Sequence, residues 1–491
     1  MGESAPRSGA ITRRLHPATL LFDVGRRFLS MAFYAVAVLW FAASRQQAWY
    51  LIFLVPPIVN ALVRYVSFRY SLEADHLVLR QGVISRNVRH VPYARVQNLD
   101  TLQGPFHRLL GVVEVRLETA AGKEPEAVFQ VISSAELAEL RAHVFGARSE
   151  GRVEAAGSGA DPAFFRMRTP DVLLFGLFSQ RGLVYLGGAF VVLRELAEFF
   201  DAEARVNEGL ETLERESAGL STWTWVVAAL GILLFLQFAT VVWAWLTLYG
   251  FRLERIGEDL RTTCGLLTRQ SASLPRGRVQ ALEVREGWLA RRLGRCSIRV
   301  ASAGADSTGS GQVARKWLVP LCARAELTRV LAEVQPEARL EELAWESLPG
   351  RARRRLFVRA LFLWAPLAAL VAALAWPVGL CAVPVALAVA WILAGLRYRR
   401  LGFALSSEAI FLRDGLLARR IVCVRFSKVQ SVELARSPLD RRARMARLRL
   451  DTAGVSKDGL HFRLSLLDLR QALRLLRRVR SEAARAEFRW H

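Results

Sequence analysis

Ser273-Leu274-Pro275-Arg276-Gly277-Arg278-Val279-Gln280 is one of three copies of a short phrase, and that repetition decides how the chain folds. His90-Val91-Pro92-Tyr93-Ala94-Arg95-Val96-Gln97 is another, and Arg425-Phe426-Ser427-Lys428-Val429-Gln430, which lacks the proline, is the third. The surroundings repeat with it. Ten residues past the basic residue stand Pro105, Trp288 and Pro438, and thirteen past it stand Arg108, Arg291 and Arg441. Roughly two dozen past it come Ala121-Gly122, Ala303-Gly304 and Ala453-Gly454. Before it come Tyr70-Ser71-Leu72-Glu73, Phe251-Arg252-Leu253-Glu254 and Phe403-Ala404-Leu405-Ser406. Each copy follows a pair of apolar segments. Internal repetition fixes architecture before any other signal. One module is used three times, with membrane-type segments between the copies.

The 491 residues are 53% hydrophobic yet 23% charged, with a mean hydropathy of +0.23. That mixture fits alternating spans and polar domains better than a purely soluble chain. The net charge is +24, from 68 Lys and Arg against 44 Asp and Glu. Such an excess attracts polyanions, and beside apolar spans an anionic lipid surface is the expected one. Part of it is the positive-inside bias of any multi-pass protein. Five scattered cysteines, Cys264, Cys296, Cys322, Cys381 and Cys423, form no CxxC pair. Zinc ligation and a disulfide framework are therefore not expected, and a reducing compartment is.

Segments 28–66, 182–248 and 356–397 read as three transmembrane hairpins, giving six spans. The first combines Phe28 to Ser44 with Ala48 to Val66, and Trp40, Trp49 and Tyr50 sit near its turn. Residues 169 to 180 are placed along the inner interface, because Ser179-Gln180-Arg181 interrupts the apolar run before a span at 182 to 200. Loop 201–220 holds six acids against two arginines. Basic stretches flank the other ends, so the charge asymmetry predicts 201–220 outside and all three modules in the cytoplasm.

The modules are expected at 68–147, 249–335 and 399–483, with a 1–27 tail, linkers at 148–181 and 336–355, and a 484–491 tail. Val-rich runs predict strands in each. Helices are predicted over Ser134 to Phe145, with Ser134 as N-cap, Ala323 to Val334, and Leu466 to Arg480. The last carries Arg470, Arg474, Arg477, Arg478 and Arg480 on its polar side. Several strands closed by one helix predict an antiparallel α+β module.

The triad, the turn before it and the later arginine together resemble the bacterial pleckstrin-homology-like membrane proteins of the YdbT type, which carry three such modules. The resemblance covers nearly the whole chain apart from the N-terminal tail and linkers. It implies a multi-pass α-helical membrane protein whose three cytoplasmic modules each have a strongly bent antiparallel sheet and a C-terminal helix. It also implies a smaller single-module relative as partner and a role in envelope stress or antimicrobial-peptide protection. It does not imply phosphoinositide binding.

Candidate partner- or lipid-contact residues are Arg95, Arg278 and Lys428 of the triads and Arg108, Arg291 and Arg441 of the later turns. A structural reading stands beside each. The triad could start a strand, with Val buried and Gln bonding backbone, and alternation favours this. The later arginines could pair with Asp100, Glu283 and Glu433, or meet an anionic headgroup or a partner. The basic final helix could be a solvated face or lie against lipid. No HExxH, phosphate loop or Gly-x-Ser-x-Gly elbow occurs, so no catalytic residue, metal or cofactor is expected. The expected function is a non-enzymatic inner-membrane scaffold contacting proteins, lipid headgroups or further copies of itself in a homo-oligomer. The alternative is a transporter or lipid-handling protein using the six spans. Nucleic-acid binding rests on charge alone.

Overall fold

The computed structural model describes residues 12–20, 22, 55–82, 87–93, 96–119, 127–149, 163–179, 221–257, 259–302, 317–374, 377–452 and 462–485. The chain divides into two compact units. One comprises Met1–Pro162, Arg166–Arg252 and Thr263–Ser273; the other comprises Ala163–Phe165, Leu253–Thr262 and Leu274–His491.

The first unit contains β1 (Thr12–Arg14), α1 (Val55–Ser67), β2 (Arg69–Leu72), β3 (His76–Gln81), β4 (Asn87–Pro92) and β5 (Val96–Gln103). Then come α2 (Pro105–Leu109), β6 (Val112–Thr119), β7 (Ala127–Ser133) and α3 (Ser134–Ser149). Strands β2, β3 and β4 form one antiparallel sheet, and β5, β6 and β7 another. Between the sheets Leu77, Leu79, Val91, Val96, Leu99, Val115 and Leu117 pack against Leu137, Leu140 and Val144 of α3. These three α3 residues lie three and four positions apart, the spacing that puts them on one face of a helix. The cap is one residue earlier than predicted. The Ser133 hydroxyl accepts from the Glu136 N–H (3.1 Å), and the Glu136 carboxylate accepts from the Ser133 N–H (2.9 Å). That reciprocal pair is a capping box, which needs Glu three residues after the cap. Strand β1 covers the β2 edge, and Arg13 reaches Glu139 of α3 at 2.5 Å.

Helix α4 (Thr169–Phe178) packs along α5 (Thr222–Leu248). A Cβ on Gly176 would meet the Val241 Cα at 2.6 Å, so glycine sets this approach. Gln237 and Thr240 of α5 donate to the Gly176 carbonyl, at 3.2 Å each, and satisfy the end of α4.

The remaining strands are β8 (Phe165–Arg166), β9 (Arg252–Ile256), β10 (Asp259–Cys264), β11 (Arg269–Pro275), β12 (Val279–Glu286), β13 (Arg295–Ser302) and β14 (Trp317–Ala323). They continue with β15 (Glu346–Ser347), β16 (Gly402–Leu405), β17 (Ala409–Asp414), β18 (Arg419–Arg425), β19 (Val429–Ala435), β20 (Met445–Thr452) and β21 (Phe462–Asp468). The helices are α6 (Trp288–Arg292), α7 (Arg324–Val334), α8 (Arg351–Leu374), α9 (Ala382–Arg400), α10 (Pro438–Arg442) and α11 (Leu469–Arg485). In the second unit a seven-stranded sheet runs β14-β13-β12-β18-β17-β16-β15, and a separate sheet runs β19-β20-β21. Phe403, Ile410, Leu412, Leu448, Leu450 and Phe462 pack with Leu475 and Val479 of α11.

Among the described residues three helices are long and apolar enough to cross a membrane: Trp223–Leu248, Arg351–Leu374 and Gly379–Arg400. The expected spans 28–44 and 182–200 and loop 201–220 lie outside the described residues. So does the first part of 48–66, whose remainder is α1. Two boundaries move. Helix α8 starts at Arg351, inside the expected 336–355 linker, because its basic first turns sit on module three rather than in a loop. There Arg355 pairs with Asp440 at 3.5 Å, and Ala352 and Leu356 pack with Met445. Helix α11 starts at Leu469 rather than Leu466, because Leu464, Leu466 and Leu467 continue β21. Helices α8 and α9 pack along one another, Ala352 and Ala394 share one buried cluster, and Arg353 stacks on Trp391 at 4.2 Å.

Candidate functional site: strand edges and turn arginines

The triad glutamine is the extra residue of a β-bulge in all three modules. Val96 faces Thr119 while Asn98 faces Glu118, so Gln97 is unmatched. Val279 faces Ser302 while Ala281 faces Ala301, and Val429 faces Thr452 while Ser431 faces Asp451. A bulge bends its strand and raises local twist, as a strongly curved sheet requires. Gln280 is buried and donates to the Arg278 carbonyl at 3.3 Å, the bond the structural reading expected.

The basic residue before it ends a single 3-10 turn, Arg276–Arg278 or Phe426–Lys428. Arg278 and Lys428 are both half-buried. Burial and then the neighbouring Arg425 hold the Lys428 pKa below its ordinary value. Arg95 lies outside the described residues.

The repeated Pro105, Trp288 and Pro438 are first residues of the short helices α2, α6 and α10. Proline suits that position because its missing N–H has no partner there anyway. Arg108, Arg291 and Arg441 close these helices. Each carbonyl accepts from the residue three on: Gly111, Gly294 and Arg444, at 3.2, 3.2 and 3.1 Å. Those residues have φ of 65°, 63° and 53°. Their own carbonyls accept from Ser134, Arg324 and Leu469, the first residues of the module-closing helices. This relay is a feature sequence reasoning missed. Its signal was a Gly three residues past the arginine, present in two copies only.

Among the described residues none of these three arginine side chains makes an ion pair. Glu283 instead meets Arg299 (3.3 Å) and Arg285 (3.6 Å), and Glu433 meets Arg449 at 4.0 Å. Arg108 and Arg441 are exposed and Arg291 half-buried. Phe106, Leu109, Trp288 and Leu439 on the same short helices are exposed too. Cationic tips beside exposed apolar side chains suit a lipid interface or a partner. The six α11 arginines, the five of the predicted polar side and Arg485, are all exposed, while Ala472, Leu475 and Val479 face the core.

The modules also join through strand edges. Strand β11 pairs antiparallel with β5, and β12 pairs antiparallel with β18. The registers agree. Arg269 and Arg419, each nine residues before the triad basic residue, face Gln103 and Glu286, each eight residues after it. Two edges of the same kind end their sheets among the described residues: β4, the counterpart of β11 and β18, and β19, the counterpart of β5 and β12. Glu283 on paired β12 has 4% of its side chain exposed, whereas Glu433 on β19 has 62%.

The model for the family described as Bacterial PH domain matches residues 20–148, 191–338 and 357–483. The UPF0699 transmembrane protein YdbT of Bacillus subtilis (strain 168) is 22% identical over 407 residues, covering 79% of this chain and 80% of that protein. No solved structure matches the chain.

Proposed function

This chain belongs to the bacterial PH domain family, and we propose that it is a non-enzymatic scaffold of the bacterial inner membrane. In this reading six spans carry three cytoplasmic modules that hold protein contacts, with lipid headgroups as a second class of contact. A smaller single-module relative and further copies of this chain are the proposed partners. The observation that carries it is the use of sheet edges: the modules are joined strand to strand in one register, twice. Main-chain pairing of this kind is a general recognition mode. It leaves spare edges, and the turn arginines stand free of ion pairs among the described residues.

The test uses the full chain solubilised in mild detergent after crosslinking in its membrane. The parent is expected to bring down a stoichiometric protein partner or a differently tagged copy. The triple variant Arg108→Glu, Arg291→Glu, Arg441→Glu is expected to insert and fold normally and to lose that partner. A parent chain that is always recovered alone overturns the scaffold. A variant that keeps its protein partner and loses only salt-sensitive retention of anionic lipid moves the arginines to a lipid role.

A further inference from the structure

The two edges that end their sheets among the described residues, β4 and β19, are complementary. On the β12–β18 pair Glu283 faces Val422, Leu282 faces Cys423 and Ala281 faces Val424. Their counterparts at the same offsets are Glu433, Val432 and Ser431 on β19, and Arg89, His90 and Val91 on β4. Carried over unchanged, the register sets Leu434 opposite Val88, Glu433 opposite Arg89, and Val432 opposite His90. Acid meets base at the centre, and Val88 and Leu434 supply an apolar pair beside it. Opposite-charge and apolar pairs directly across a ladder are the stabilising ones.

Burial tells the same story. Ile421 and Val422 on paired β18 are 7% and 1% exposed. Their counterparts on β4, Val88 and Arg89, are both exposed, Val88 at 48%. The outer edges of β2 and β16 are covered by the short strands β1 and β15. Edges β4 and β19 carry no such cover among the described residues. An uncovered edge with unmet N–H and C=O groups templates pairing with another chain.

We propose that β19 of one copy of this chain pairs antiparallel with β4 of a second copy, in the register of the two internal junctions. The proposal rests on the scaffold reading and names its partner surface. The contact is heterologous, third module to first module, so successive copies add head to tail. Such a contact closes a ring or continues as a row according to the rotation it imposes.

The test is disulfide capture in native membranes, with Cys381→Ser removing the exposed native thiol. One tagged chain carries Glu433→Cys and a differently tagged chain carries Arg89→Cys. Both positions are exposed, but Arg89 has an interaction of its own and Glu433 meets Arg449, so each cysteine chain must first match the parent's thermal melt. The expected result is a mixed disulfide dimer as the main linked species, with Glu433→Cys against Pro92→Cys, three residues out of register, linking far less. Equal linking of both pairs, same-tag dimers only, or no linking overturns the pairing. Charge reversal gives a second reading. Glu433→Arg and Arg89→Glu should each weaken recovery of one tagged copy with another, and a chain carrying both should restore it. No restoration means that the two side chains do not face each other and the register is wrong. If capture fails while the parent chain still brings down another protein, the strand pairing falls and the scaffold stands. If both fail, both fall.

Discussion

Glu286 stands directly opposite Arg419 across the β12–β18 junction and pairs with it at 3.6 Å, where Gln103 stands opposite Arg269 in the β5–β11 junction. Arg324 at the start of α7 approaches the same carboxylate at 3.9 Å. One acid therefore ties a module-closing helix to the neighbouring module's strand.

Glu286→Ala should cost stability, because the carboxylate is 5% exposed and its removal takes the partner from Arg419 and, at longer range, from the exposed Arg324. Arg419 keeps partial access to water, which moderates the loss to about 1–3 kcal/mol. Gln103→Ala at the uncharged counterpart should cost less. Cys423 reports locally: it is buried on β18, its thiol is pushed up to about 12 by burial, and it faces Leu282 of β12. Thiol labelling at Cys423 should accelerate in Glu286→Ala and stay slow in Gln103→Ala. Equal rates would show that the ion pair does not hold this junction.

The turn relay predicts a stabilising change. Gly111 and Gly294 occupy the left-handed region without strain, but Arg444 holds φ of 53° with a Cβ. The left-handed conformation costs a side-chain-bearing residue roughly 1–2 kcal/mol, offset in part by glycine's greater freedom when unfolded. Arg444→Gly should therefore stabilise the third module by about 1 kcal/mol. Gly294→Ala should destabilise the second by a similar amount. Thermal melts of the full chain in detergent decide it, and an Arg444→Gly melt below the parent's would refute the assignment.

The repeat, the α8–α9 pair and the helix closing each module were legible in the sequence, because hydrophobic periodicity and fixed offsets record them. Val96 and Val279 were readable as inward-facing for the same reason. The bulge at Gln97, Gln280 and Gln430 was not, since a bulge is a mismatch between two strands and only pairing reveals it. Edge pairing between modules was hidden for that reason too. Ser133 was missed as a cap because Ser134 beside it offers the same hydroxyl. Cys296 and Cys322 looked scattered, yet β13 and β14 set them opposite one another with sulfurs 3.5 Å apart. Twenty-six residues of sequence separation conceal one rung of a ladder.

Asp440 gives a pH-dependent prediction. Burial alone would push its carboxyl up, but the Ser437 hydroxyl and N–H, then Arg355 and Arg447, outweigh that and hold it below its ordinary value. A carboxylate with a lowered folded pKa stabilises fully above its unfolded pKa of about 3.9 and loses that contribution as pH falls through the folded value. Asp440→Asn should therefore destabilise at pH 7, by about 1 kcal/mol for the weakened cap plus the lost Arg355 pair. The gap to the parent should narrow below about pH 4. A gap independent of pH would mean that the carboxylate's charge is not what matters.

The ends of α8 and α9 set module three and the turn between the helices apart. Arg355 near the start of α8 pairs with Asp440, and at the end of α9 Arg397 pairs with Asp414 at 3.5 Å, so both ends meet module three. Helix α8 runs 24 residues from Arg351, about 36 Å at 1.5 Å per residue, enough to cross a bilayer core. The turn with exposed Cys381 is thus a helix length from the module. If the basic flanks keep the modules in the cytoplasm, that turn and the acidic loop 201–220 face outward. In intact cells an impermeant thiol reagent should then modify Cys381, and Ser217→Cys in a Cys381→Ser chain, while Ser456→Cys in that same background reacts only after the cells are opened. Modification of Ser456→Cys in intact cells, with Ser217→Cys silent, would invert the topology and place the strand edges, and any partner they hold, outside the cytoplasm.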